Sequence, residues 1–320
     1  MRVAVKAKVN SVDAASILHK TSTDIDKVCA MYKANGIDGV DFGFDCYSHW
    51  HGYPEKFFSS RTIDELKTFF TPYKEAFEKH GIEVVQTHPP FPSFKFVDSP
   101  DETKEEFNKR ALDATKKTLE LTAFFGCKYA VVHPAHGVID MDLDELKKAN
   151  MKYYSQLIDD ARKFGVTICL ENMWNRRDGG AIVDSACSNP YEAVDYIDTL
   201  NDMAGEELFA FCFDVGHANL TGKNMRNDLR ILGKRVKVLH IHDTDKLEDR
   251  HTIPYAYIGS KNRSVTDYAG FLMGLRDIGY EGHISFEIGN AFNAFPNPTH
   301  PALCALVASI GRYFESEIEH

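Results

Sequence analysis

Eight times along the chain a short apolar run gives way to a longer stretch with helical periodicity, and this alternation limits the fold more than any single motif. The runs are residues 3–9, 39–44, 82–87, 129–133, 166–171, 208–214, 236–240 and 284–287. The helix-like stretches are 24–34, 63–78, 105–125, 143–164, 191–200, 225–234, 267–275 and 301–314. In the clearest of these, EEFNKRALDATKKTLELTAFF at 105–125, apolar residues recur at three- and four-residue spacing. Ser99-Pro100-Asp101-Glu102 and Ser188-Asn189-Pro190 read as helix starts. Near-continuous apolar runs suit parallel strands covered on both faces. An open doubly wound sheet would carry a glycine-rich phosphate turn after its first strand, and none stands there. Spread over eight units, the 320 residues allow about 40 for each, with no linker or composition break between them. The expected fold is therefore α/β, a single-domain (β/α)8 barrel over residues 1–320.

Composition narrows the class. Hydrophobic residues at 43% and charged residues at 26% are ordinary for a folded globular chain. No run approaches the roughly 18 apolar residues of a membrane helix, and the N-terminus lacks a leader pattern. A soluble cytoplasmic protein with no membrane partner is expected. The net charge of −10 argues against a broadly basic nucleic-acid surface. Seven scattered cysteines form no CxxC pair, and Cys169 and Cys212 read as buried thiols inside strands. Fourteen histidines stand out, and their positions matter more than their number.

In a barrel of this kind the chemistry gathers where strands end. The third run ends in Thr87-His88-Pro89-Pro90, the fourth in Val132-His133-Pro134 and the fifth in Leu170-Glu171-Asn172. The sixth ends in Phe213-Asp214-Val215-Gly216-His217, and the seventh in Leu239-His240-Ile241-His242-Asp243 with Asp249-Arg250-His251 shortly after. The eighth ends in Ser285-Phe286-Glu287. Taken singly, each is explained by a helix cap, an ion pair or a hydrogen-bonded imidazole. Together they place charge at one rim of an apolar barrel, which costs desolvation unless a cation compensates it.

These pieces, THPPF, VVHP, LENMW, DVGHANL, LHIHDTD with DRHTIP, and SFEI, resemble the xylose isomerase-like TIM-barrel superfamily in order and spacing. That superfamily contains sugar isomerases, sugar epimerases, inosose dehydratase-type enzymes and endonuclease IV-type enzymes. The resemblance implies one divalent metal held by Glu171, Asp214, His240 and Glu287. Such an oxygen-rich shell suits Mn, Mg, Co or Zn. His240 is preferred to His242 because, with Asp243, it matches the family pattern His-x-x-Asp, although alternation puts both imidazoles on one face. The implied activity is isomerisation or epimerisation of a ketose, aldose or polyol-derived ketone through an enediolate, with Glu171 and Glu287 as acid and base. His88, His133, Trp174, His217, Asp249 and His251 are the implied substrate contacts. The partner is a small sugar or sugar derivative, and a homo-oligomer is compatible with the family.

Two positions depart from the ketose 3-epimerase branch. Arg177 stands where that branch has a glutamate, and Lys246 where it has an arginine. Arg176 and Arg177 could instead meet an acidic or phosphorylated substrate. The segment 44–51, rich in aromatic residues and histidine, reads as a lid or wall of the pocket. Three alternatives stay open. The first is an endonuclease IV-like phosphodiesterase acting on abasic DNA with three Zn ions, for which His88, His133, Glu171, Asp214, His217, His240, Asp249, His251 and Glu287 stand in matching order. The second is an inosose dehydratase-like lyase, and the third a non-catalytic sugar-binding barrel.

Overall fold

The protein is described from a computed structural model covering residues 10–13, 24–47, 56–137 and 141–319. Its main sheet has eight strands, all parallel: β1 (Asn10–Asp13), β2 (Gly39–Gly43), β3 (Glu83–His88), β4 (Tyr129–Val131), β5 (Thr167–Glu171), β8 (Phe209–Asp214), β9 (Val236–His240) and β10 (Ile284–Phe286). The order β10-β1-β2-β3-β4-β5-β8-β9 closes on itself, because Ile241 N donates to Ser285 O at 2.9 Å and Glu287 N to Ile241 O at 3.1 Å. The chain is therefore a (β/α)8 TIM barrel. The run 3–9 lies outside the described residues; Asn10–Asp13 stands between β10 and β2 in the barrel.

Helices cover the outside. Asn189 caps the helix Pro190–Ala204 with Pro190 in its first turn, as Ser188-Asn189-Pro190 suggested. The helix Lys104–Phe124 is started by a capping box between Thr103 and Glu106, whereas residues 99–102 form a turn closed by Ser99 N to Glu102 O at 3.0 Å. The stretch expected as one helix over 143–164 is two, Leu143–Ser155 and Ile158–Phe164; the break lets Leu157 bury completely while Tyr154 Oη donates to Val132 O at 2.7 Å. Among the described residues no helix is long and apolar enough to cross a membrane.

The barrel interior is layered. Val131, Cys169, Ala210, Cys212 and Val238 fill it with small apolar side chains, and both cysteines are free, buried thiols. Two residues further along the same strands stand His133, Glu171, Asp214 and His240. A strand repeats its facing every second residue, so the face that is apolar at one level becomes ionisable at the next. That step positions the site. Behind β2, Phe42, Phe44, Tyr47, Phe70 and Phe125 pack as a cluster of rings, with Phe42 and Phe44 centroids 5.2 Å apart.

Candidate functional site

The imidazole of His240 is the hub. Its Nδ1 lies 3.3 Å from Glu171 Oε2, 3.4 Å from Glu287 Oε2 and 3.9 Å from Asp214 Oδ2. Its Nε2 donates to Asp41 Oδ2 at 3.0 Å. Gln86 Nε2 donates to the same oxygen at 2.8 Å and to Leu239 O at 3.2 Å, so Asp41 is itself held in place. With Nε2 tied to Asp41, Nδ1 is the nitrogen that faces the three carboxylates, open to a proton or a cation.

Both Glu171 oxygens, His240 Nδ1 and Glu287 Oε2 are buried and lack a well-aligned hydrogen bond. Unsatisfied ligand-type atoms converging in this way fit a divalent cation, which would satisfy them all at once. Cys212 Sγ also lies near Glu171 and His240, but burial raises the thiol well above its ordinary value and keeps it protonated. The donors suited to a hard or borderline cation are the three carboxylates and the imidazole.

Local structure explains why these side chains point inward. Asp214 ends β8 and caps the short helix Val215–Leu220, its Oδ1 accepting from His217 N at 2.5 Å. Asn172 pins that corner, its Oδ1 accepting from Asp214 N and its Nδ2 donating to Asp214 O, both at 2.8 Å. Gly216 is required by packing: a Cβ there would lie 1.9 Å from His242 Cε1.

A second group adjoins the first. His217 Nδ1 donates to Asn172 O at 2.9 Å, and its Nε2 lies 3.2 Å from Asp249 Oδ2. His251 Nε2 reaches the same oxygen at 3.0 Å. His242 Nε2 stands 3.2 Å from Asp214 Oδ2 and 3.6 Å from Asp249 Oδ1, its ring stacked on His251 with centroids 4.2 Å apart. His251 occupies the left-handed region at φ 46°, a strained backbone at the site. On the opposite side His88 Nδ1 donates to Pro89 O, while His133 Nε2 lies 2.8 Å from His88 Nε2 and 3.1 Å from Glu171 Oε2. The Trp174 ring stands 6.5 Å from that of His217.

Charges in this network are strongly coupled. Burial pushes Glu171 up, but the His240 and His133 imidazoles outweigh it and hold the carboxyl well below its ordinary value. Glu287 is brought to about 2, burial again being outweighed, here by His240 and His251. Burial opposes a charged His251, yet Glu287 and Asp249 raise it to about 10. Protons on imidazoles thus balance carboxylates where a cation would do so when bound.

A cavity of about 220 Å³ opens onto the centre, lined by Asp41, Asp45, His88, Phe91, His251 and Glu287 among others. The ten residues expected as ligands or contacts therefore stand at or beside one centre. The two arginines do not meet it. Arg176 donates to Gly180 O and Leu247 O, and Arg177 lines a separate outer groove with Leu143 and Tyr191. Both stand on the antiparallel hairpin of β6 (Trp174–Arg176) and β7 (Ile182–Asp184). In the segment 44–51, residues Phe44–Tyr47 form a buried 3-10 turn whose Asp45 and Cys46 wall the cavity, and 48–51 lie outside the described residues. Sequence reasoning assigned no part to Asp41, Gln86 or Asn172 and set His242 aside. The available signal was a charged or amide residue inside a strand otherwise apolar, as in GVDFG and EVVQTH.

Comparison with known proteins agrees with this architecture. A family model described as xylose isomerase-like TIM barrel matches residues 30–302. Inosose isomerase from Bacillus velezensis is 23% identical over 255 residues, covering 76% of this chain and 80% of its own. Probable endonuclease 4 from Listeria welshimeri is 23% identical over 231 residues, covering 69% and 71%. The solved IOLI protein with a bound zinc atom superposes with a TM-score of 0.66 at 18% identity, covering 98% of this chain and 99% of its own. D-allulose 3-epimerase from Methylomonas sp., in complex with D-allulose, gives 0.65 at 15% identity over 98% and 99%.

Proposed function

Because the chain belongs to the xylose isomerase-like TIM-barrel family, we propose that it is a divalent-metal-dependent sugar isomerase or epimerase. The observation that carries this reading is the meeting of His240 Nδ1 with carboxylate oxygens of Glu171, Glu287 and Asp214 at 3.3–3.9 Å, in a pocket open to a small molecule. Those four residues would hold the cation, and Mn, Mg, Co or Zn suits the set. When bound it supplies a Lewis acid for the charge that develops on the carbonyl oxygen.

The chain's own groups do the rest. Glu287, about one-fifth exposed and lining the cavity, takes the proton from the carbon beside the carbonyl. Glu171, fully buried, gives the enediolate a second proton, taken up beforehand from solvent, and the proton left on Glu287 passes back to water, so that both carboxylates end as they began. His217 and Trp174 orient the sugar, and Phe91 with the Phe44–Tyr47 turn restricts water at the mouth. The sugar-epimerase and inosose isomerase names of the relatives support this class. A β-elimination on a polyol-derived ketone uses the same proton removal.

One observation favours a second reading. His217, His242, Asp249 and His251 bring four ligand atoms within 4.8 Å of one another, and His88, His133 and Glu171 bring three. Such groups suit a three-zinc phosphodiesterase of the endonuclease 4 kind. The deciding experiment measures metal per chain together with turnover on a panel of ketoses and keto-inositols. The expected outcome is turnover that depends on the metal and disappears in Glu287→Gln, whose circular dichroism stays native. Three zinc per chain, nicking of an abasic-site duplex and silence on every sugar would replace the first reading with the second.

A further inference from the structure

One donor at the centre is left over by an oxygen-rich metal site. Cys212 is fully buried on β8, two residues before Asp214 and on the same face of the strand. Its register partner on β5 is Glu171 and on β9 is Val238, so the cysteine stands level with one ligand-type carboxylate and one step below the other. The Cys212 sulfur, a Glu171 oxygen and a His240 nitrogen lie within 4.8 Å of one another. Among the described residues Cys212 is the one cysteine that enters such a group, although Cys169 shares its small apolar layer.

The neighbours of this thiol are suited to a cation. Glu171 is fully buried, and both its oxygens lack a well-aligned hydrogen bond, as does His240 Nδ1, which stands 3.3 Å from Oε2. With both Glu171 oxygens counted, the three side chains offer four donor atoms, the number that a closed tetrahedral site uses. A hard cation gains little from sulfur and takes the oxygen-rich set with Asp214 and Glu287. A soft cation gains most from sulfur, and a thiol that coordinates it gives up its proton, here to water. Glu287 lines the cavity, whereas Glu171, Cys212 and His240 do not. An ion held by those three is drawn below the surface that a small molecule in the cavity touches.

Resting on the reading of this centre as a metal site, we propose that the barrel holds a second, deeper seat, formed by Cys212, Glu171 and His240, which takes thiophilic cations of the Cd(II) kind. The two seats share Glu171 and His240, so they cannot be filled together. A soft ion in the deeper seat empties the upper one and stops turnover, which makes Cys212 the residue through which thiophilic metals inhibit this chain.

The test loads the full-length chain with Mn(II) and titrates it with Cd(II). Free Mn(II) is read by electron paramagnetic resonance, and sulfur coordination by the thiolate-to-cadmium charge-transfer band in the ultraviolet. Release of Mn(II) is expected to run in step with growth of the band. Cys212→Ala is expected to lose the band and keep Mn(II) binding, whereas Cys46→Ala, which removes the thiol lining the cavity, keeps both. Mn(II) released with no band in the wild-type chain, or a full band in Cys212→Ala, would overturn the proposal and leave the metal reading standing. A chain that takes up neither cation sinks both. If Cys212→Ala does not fold, cadmium NMR of the wild-type chain decides in its place. A shift in the range of one sulfur with nitrogen and oxygen donors supports the deeper seat, and one in the range of nitrogen and oxygen alone overturns it.

Discussion

At the residue scale, the less visible partners of the ligands govern the site as much as the ligands do. His240 can offer Nδ1 to a cation only while its other nitrogen is tied, and Asp41 ties it at 3.0 Å under the grip of Gln86. Asp41→Asn keeps the shape but replaces a charged acceptor with an amide that can turn its NH2 toward Nε2. The expected result is metal binding weaker by about 10–100-fold with little change in the unfolding temperature of the metal-free chain. Chelator competition measures it, and an affinity within twofold of wild type would contradict the assignment. The ligand candidates themselves were legible because acids and histidines ending several runs have no cheap collective explanation. Asp41 and Gln86 were not, since one polar residue in a strand is indistinguishable from an exposed edge position until the barrel closes around it. His240 and His242 also could not be separated by alternation; what distinguishes them is that three carboxylates surround Nδ1 of the first, while the second packs on His251.

At the element scale, the short helix Val215–Leu220 is where packing and chemistry are least separable. Its cap is the ligand-type residue Asp214, its third residue is His217, and Gly216 between them leaves room for the His242 ring. Gly216→Ala would drive a methyl group into that imidazole, and neither the helix nor the barrel strand can retreat. A loss of about 1–3 kcal/mol is expected in urea unfolding, typical of overpacking, together with reduced metal content. Wild-type stability and full metal content would show that the corner is softer than drawn. The strand and helix pattern was readable at this scale because barrel strands, buried on both faces, are apolar throughout. The errors fell where local signals compete. Ser99-Pro100 resembles a helix start, yet the Thr103–Glu106 capping box satisfies two backbone donors and wins. The hairpin after Glu171 was hidden because residues 174–184 carry no run long enough to read as strands, and Arg177 at its turn lines the outer groove.

At the scale of the whole molecule, closing eight parallel strands brings carboxylates and imidazoles from most of the chain into one buried volume, and their charge must be balanced. Without a cation the balance is struck by protons. Burial disfavours a charged His240, but Glu287, Glu171 and the hydrogen bond to Asp41 raise it well above its ordinary value, and His251 reaches about 10. Both imidazoles are raised above the roughly 6.5 of an unfolded chain, so their stabilising contribution is full below about 6.5 and fades only as pH climbs through the folded values. Glu287, depressed to about 2, contributes above about 4.3 and loses its contribution as pH falls through about 2. Between pH 5.5 and 8 the metal-free site therefore keeps its internal compensation. A metal entering must displace the proton on each imidazole it uses, so its affinity rises by about tenfold per pH unit for every proton released. Since a ligand at a hundred times its dissociation constant adds about 2.7 kcal/mol, the gap in unfolding temperature between loaded and metal-free chain should widen steadily from pH 5.5 to 8 at fixed metal. Calorimetry in buffers of different ionisation enthalpy should show proton release on loading at pH 7. A gap independent of pH, or loading without proton release, would mean that the cation binds through carboxylates alone and that His240 is not among its ligands.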